Sequence, residues 1–194
     1  MAVLSAGLEV ELREIILKDK PQAFLRASPS ATVPNLQAGD LNFDESLDIM
    51  QWALGKSDPH RLLNMPNIGE TLIAQNDGPF KTALDHTKYA TRYPDLDPQF
   101  ERARASDYIH SLNVRLAKHH FLTGDRPTLA DIAIFPFVRQ FAHIDRGWFD
   151  AQPWPNVILW LDGFLQSADF QKAMTKVAVW EEGSPPYLFG QASK

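Results

Sequence analysis

The chain has 194 residues, 44% apolar and 22% charged, with 24 acidic against 19 basic residues and a net charge of −5. This is the composition of a globular protein long enough to bury its own core, and it has no Lys/Arg run dense enough to neutralise a row of phosphates, which argues against nucleic acid as a partner. Cysteine is absent, so disulfides, thiolate metal sites and a thiol nucleophile from the chain are excluded, and any sulfur chemistry must come from a ligand.

The opening MAVLSAGLEVEL has no basic region ahead of its apolar stretch, unlike a signal peptide. The longest apolar run, Ile132 to Val138, is too short to span a bilayer. A cytoplasmic protein that does not enter the membrane is expected.

Met1 to Leu8 reads as the last turns of a helix ended by Gly7. Val10 to Leu17 (VELREIIL) alternates apolar and polar as a strand does. A helix feeding a strand is the second half of a parallel crossover, so a preceding strand is expected and is not in the sequence. After Lys20-Pro21 come a short amphipathic piece (QAFLRAS), a break at Ser28-Pro29, and ATVPNLQAGDLNF, where Ala38-Gly39-Asp40 turns one short strand back on another. Asp44 is placed to cap the helix ESLDIMQWALG, with Leu47, Ile49, Met50 and Ala53 on its buried side and Gly55 at its end.

KSDPHRLLNMPN has two prolines and no sustained period, as a linker does. From there the pattern is helical. Ile68 to Tyr93 should kink at Gly78-Pro79; Pro98 to His120 has Ala105, Ile109, Leu112 and Leu116 on one face. Thr128 to Phe141 is apolar nearly all round, as a central bundle helix is, and starts with a capping box between Thr128 and Asp131. Pro155 opens a further helix, and Ala168 to Lys176 makes one more. The expected domains are 1–57, a linker at 58–66, and an all-helical 67–194.

Three features bear on chemistry. In Thr32-Val33-Pro34 the ordinary state of the X-Pro bond is trans, with a structural role; a cis bond would turn the Val33 backbone groups toward a ligand that adds on like a strand. Glu45-Ser46, at a helix start, serves either as a cap or as a grip on an amino-acid head group, with Ser46 and backbone N–H groups on the carboxylate and Glu45 on the ammonium. The six histidines include no pair at zinc-binding helical spacing, and no metal site is expected. The tryptophans, Trp52, Trp154, Trp160 and Trp180 among them, read as core and core edge.

The order Lys20-Pro21, Val33-Pro34, Asp44-Glu45-Ser46, linker, then a bundle carrying TLADIAIF resembles the glutathione transferase superfamily. LREIILKDKPQAF, SPSATVP and DESLDIM look most like its omega-like branch. The resemblance implies an α+β, mostly α fold: a thioredoxin-like N-terminal domain lacking its first strand, then an all-α C-terminal domain. It implies glutathione as the ligand, with Lys20 near the glycyl carboxylate, Val33 pairing with the cysteinyl segment beside Pro34, and Glu45 and Ser46 on the γ-glutamyl head group. Tyr89, Arg92 and Tyr93, taken to lie on the first bundle helix, would face an unidentified second substrate. A homodimer is also implied, formed by the first domain of one subunit against the bundle of the other.

Two departures from the family pattern stand out. Asn35 replaces an apolar strand residue, and no Cys-Pro or Ser-Pro segment marks a catalytic residue in this chain. The implied activity is therefore a glutathione-dependent transferase or thiol-disulfide reductase whose catalytic segment precedes Met1. The alternative is a non-catalytic module of the same fold that binds or dimerises. A relic with unpaired strand edges, prone to aggregate, is the third reading.

Overall fold

The computed structural model describes residues 1–190. These divide into two compact units, one formed by residues 1–63 with the tail from Ala168 onward and the other by Asn64–Ser167.

The first unit opens with a short helix, α1 (Ala2–Ser5), which Gly7 ends at φ +66°. The strand that follows is shorter than its alternation suggests: only β1 (Val10–Glu11) forms a ladder, and its partner is distant in sequence. Helix α2 (Gln22–Ala27) leads to the hairpin β2 (Leu36–Ala38) and β3 (Leu41–Phe43), which turns at Gly39 with φ +62°. Glycine adopts that left-handed backbone without the penalty a Cβ brings. Helix α3 (Ser46–Lys56) packs on α1 and buries Ala53 and Leu54, so the stripe read from the sequence faces inward there.

The tail departs from the expectation that helix continues to the end. Beyond α10 (Ala168–Ala173) it becomes extended, and β4 (Leu188–Phe189) runs antiparallel to β1 with Val10 opposite Phe189. Leu12 N–H donates to Tyr187 O at 2.9 Å, and Trp180 N–H donates to Glu14 O at 2.8 Å. Arg13 stacks over the Trp180 ring at 4.7 Å. Gly190, at φ +105°, lies against Leu8 O so closely that any Cβ would collide with it.

The second unit is helical. Helices α4 (Asn67–Gln75) and α5 (Lys81–Lys88) flank a π-helical turn, Asn76–Phe80, at the expected interruption. Pro79 lacks the N–H an α-turn needs, and the wider turn absorbs that loss. Helix α6 (Pro98–Leu116) has a true cap, Asp97 Oδ1 accepting from Gln99 N–H at 2.9 Å, and buries the Ala105, Ile109, Leu112, Leu116 face. It packs against α5 and α9 (Pro155–Gln166). Helix α8 (Arg146–Asp150) carries Trp148 and Phe149, which join Phe141 and Trp154 in one aromatic cluster.

Helix α7 (Leu129–Ala142) is buried on most sides, as its sequence requires, and its capping box forms. Asp131 is fully buried and accepts four donors: Leu122 N–H (2.9 Å), Thr128 N–H (2.9 Å), the Thr128 hydroxyl (3.3 Å) and Trp160 Nε1–H (3.0 Å). Burial pushes its carboxyl above the usual range, and the donors oppose that shift. One side chain thus ties the approach to α7, its first turn and α9 together. Asp131→Ala leaves three buried N–H groups without an acceptor, each costing about 1 to 3 kcal/mol. A chemical-denaturation measurement should show a loss of about 3 to 5 kcal/mol, with Asp131→Asn, which keeps one acceptor oxygen, losing less.

Candidate functional site

The residues singled out in the first unit are brought together by the hairpin. Its register pairs Leu36 with Phe43 and Ala38 with Leu41, and continuing that register sets Pro34 across from Glu45 and Val33 across from Ser46. The Val33–Pro34 peptide is cis, not in its ordinary trans state. Val33 is 46% exposed, so its backbone lies at the surface beside the start of α3.

Asp44 holds this arrangement, in a different way from the one its sequence position suggested. It does not cap α3: the N-cap is Glu45, and no side chain closes that end. Asp44 instead accepts from the Ser28 hydroxyl (2.8 Å), Asn35 Nδ2 (2.7 Å) and Ser30 N–H (3.3 Å). The Ser28 hydroxyl, then Asn35 and the Ser30 N–H, hold the Asp44 carboxyl below the usual carboxylate range, against an opposing cost of desolvation. Asn35, out of place as a strand residue, also donates to Asn42 Oδ1 at 2.5 Å, and Asn42 donates to Ala27 O at 2.6 Å. The loop 28–32, the end of α2, the hairpin and the approach to α3 are therefore joined by one polar cluster.

The start of α3 is left open as a result. Its first intrahelical bond is Ile49 N–H to Glu45 O, so the N–H groups of Ser46, Leu47 and Asp48 point out of the helix without intrahelical acceptors. Among the described residues no hydrogen bond or ion pair engages the side chains of Lys20, Glu45 or Ser46. Lys20 sits just before α2, at half exposure, and no bond ties it to the other four.

Tyr89, Arg92 and Tyr93 lie past the end of α5, not on it as the sequence suggested. Tyr89 is the C-cap and Ala90–Arg92 is a single 3₁₀ turn. Arg92 stacks over the Tyr89 ring at 4.4 Å and Lys88 over the same ring at 4.9 Å, while Tyr93 packs on His86 with ring centroids 4.4 Å apart. His86 in turn contacts the buried Glu101 at 3.1 Å, to which Arg104 also donates. Sequence reading missed an open cavity of about 570 Å³ along α6, lined by Arg102, Ser106, Asp107, His110 and Trp148. The spacing of Arg102, Ser106 and His110 was its only signal. No group of three or more His, Asp or Glu among the described residues is placed to hold a metal ion. No helix among them is long and apolar enough to cross a membrane.

Two family models match the chain: glutathione S-transferase, N-terminal domain, over residues 1–61, and glutathione S-transferase, C-terminal domain, over residues 91–163. The chain belongs to the glutathione S-transferase superfamily. Similar solved structures include a glutathione S-transferase from Actinobacillus pleuropneumoniae (20% identity, TM-score 0.68, 89% of this chain and 83% of that one). A delta-class glutathione transferase from Nilaparvata lugens (21% identity, TM-score 0.71) is covered to 84%, against 89% of this chain. A glutathione S-transferase-I bound with lactoylglutathione (22% identity, TM-score 0.69) is covered to 90%, against 88% of this chain. The fold is accordingly the glutathione transferase one, thioredoxin-like then all-helical and mostly α.

The Asp44 cluster predicts a pH response. A carboxyl with a lowered folded-state pKa contributes stability that is present above its unfolded value, near 4, and is lost as pH falls through the folded value. Amide hydrogen exchange in 28–44 should accelerate on acidification below about pH 4. In Asp44→Asn it should be fast already at neutral pH and lose that acid step.

Proposed function

We propose that the first unit binds glutathione and that the protein belongs to the omega-like branch, as a glutathione-dependent transferase or thiol-disulfide reductase. The observation that carries this reading is the hairpin register, which sets a cis Val33–Pro34 beside an uncapped helix start at Glu45-Ser46. Superfamily membership and a structural neighbour bound with lactoylglutathione support the choice of ligand.

The residues fit that ligand chemically. The N–H groups of Ser46, Leu47 and Asp48 and the Ser46 hydroxyl are unspent donors at the positive end of a helix dipole, suited to the γ-glutamyl carboxylate. Glu45, exposed and unpaired, suits the adjacent ammonium. The Val33 backbone, with Pro34 fixing its direction, offers main-chain pairing to an extended peptide. Lys20 is assigned to the glycyl carboxylate, and Tyr89, Arg92 and Tyr93 to the second substrate.

Glutathione supplies the thiol, which this chain, having no cysteine, does not. The chain's own residues bind and orient the peptide on either side of that thiol. In this reading a residue that stabilises the thiolate, or forms a mixed disulfide with it, comes from a segment preceding Met1. The cytoplasmic location and the family-type homodimer belong to the same proposal. A non-catalytic binding module is the second reading, favoured by the absence of a Cys-Pro or Ser-Pro segment from these residues.

Isothermal titration calorimetry with reduced glutathione tests the binding claim. Measurable affinity is expected for the chain, with a loss of roughly tenfold or more in Glu45→Ala/Ser46→Ala, since hydrogen bonds to charged groups contribute about 1.5 to 3 kcal/mol each. Equal heats for the variant and the parent would remove Glu45 and Ser46 from the site. Turnover with a thiol-disulfide substrate by the same chain would exclude the non-catalytic reading.

A further inference from the structure

Successive residues of a strand present their N–H and C=O groups to opposite edges. The tail bonds to Leu12 N–H and Glu14 O and stands in register with Val10, so all its bonds use the even-numbered edge of 10–14. The odd-numbered edge, at Glu11, Arg13 and Ile15, has no backbone hydrogen bond among the described residues. Such a row of unpaired groups is a template for another strand, and proteins ordinarily blunt it with charges that repel a copy of themselves.

Here the charges do the reverse. We propose that the odd-numbered edge of residues 9–15 pairs antiparallel with the same edge of a second copy, about a two-fold axis at Leu12. Glu11 then stands opposite Arg13 of the second copy, and Arg13 opposite its Glu11. Both pairs fall at hydrogen-bonded positions, because both residues face the shared edge.

Within one chain Arg13 Nε already contacts Glu11 Oε1 at 2.8 Å, since residues two apart share a face of the strand. Pairing closes the four side chains into a ring of alternating charge. On the other face Leu12 meets Leu12 of the second copy at a closely spaced, non-hydrogen-bonded position. The tail stays in place on the opposite edge. This surface is separate from the proposed glutathione site and from the domain-against-bundle contact that family resemblance implies.

Sedimentation velocity over a concentration series into the high micromolar range tests the proposal, with far-UV circular dichroism melts to check that each variant folds. The parent should dimerise. Glu11→Arg and Arg13→Glu, each placing like charges opposite one another, should weaken the dimer by roughly tenfold or more. The exchanged pair Glu11→Arg/Arg13→Glu should restore it, an outcome that loss of the Arg13 stack on Trp180 alone does not produce. Should Arg13→Glu fail to fold, Glu11→Arg and Arg13→Pro, which removes an edge N–H while leaving the tail bonds intact, carry the test. A monomeric parent, or a dimer of unchanged affinity in the single variants, overturns the proposal.

Discussion

The first unit depends on the carboxylate of Asp44. It gathers the Ser28 hydroxyl, the Ser30 N–H and the Asn35 amide, and with the Asn42 bond to Ala27 O it fixes the loop, the hairpin and α3 relative to one another. Short strands of this kind hold little ladder energy by themselves, so polar bonds carry the alignment. Because Asp44 is occupied there, it is not available to cap α3. The open helix start that the proposed function uses is a direct consequence of where that carboxylate points.

The helical unit repeats the device in a dry setting. Asp131 takes four donors with no exposure to water, where an unpaired group is far more costly than at the surface. The chemistry is the same, a carboxylate organising nearby N–H groups, but the consequences differ. Asp131 secures the core packing of α7 and α9, whereas Asp44 shapes a surface that remains accessible.

Features governed by local rules were legible in the sequence. The Thr128–Asp131 box, the Gly39 turn, the interruption at Gly78-Pro79 and the buried stripe of α6 all follow from neighbours within a few residues, and all are present. What failed to show was set by distant partners. Asp44 read as a cap because the pattern cannot reveal a serine sixteen positions earlier. The ladder from Val10 was overestimated because its partner lies in the tail, where YLF is too short a signal to mark a strand. Tyr89 to Tyr93 were placed on a helix because nothing local marks the end of α5 at Lys88. The site residues Val33, Pro34, Glu45 and Ser46 could be named from motif alone, yet their convergence depends on a hairpin register visible only in the structure.

The central claim is that Val33 and the first turn of α3 form one peptide-binding surface. Amide-resolved NMR with reduced glutathione as titrant addresses it most directly. The account predicts concerted shifts of the Val33, Ser46, Leu47 and Asp48 N–H signals at one common dissociation constant, attenuated in Asp44→Asn, where the loop and hairpin lose their alignment. Shifts confined to the helical unit, or a titration that leaves those four amides unmoved, would contradict it.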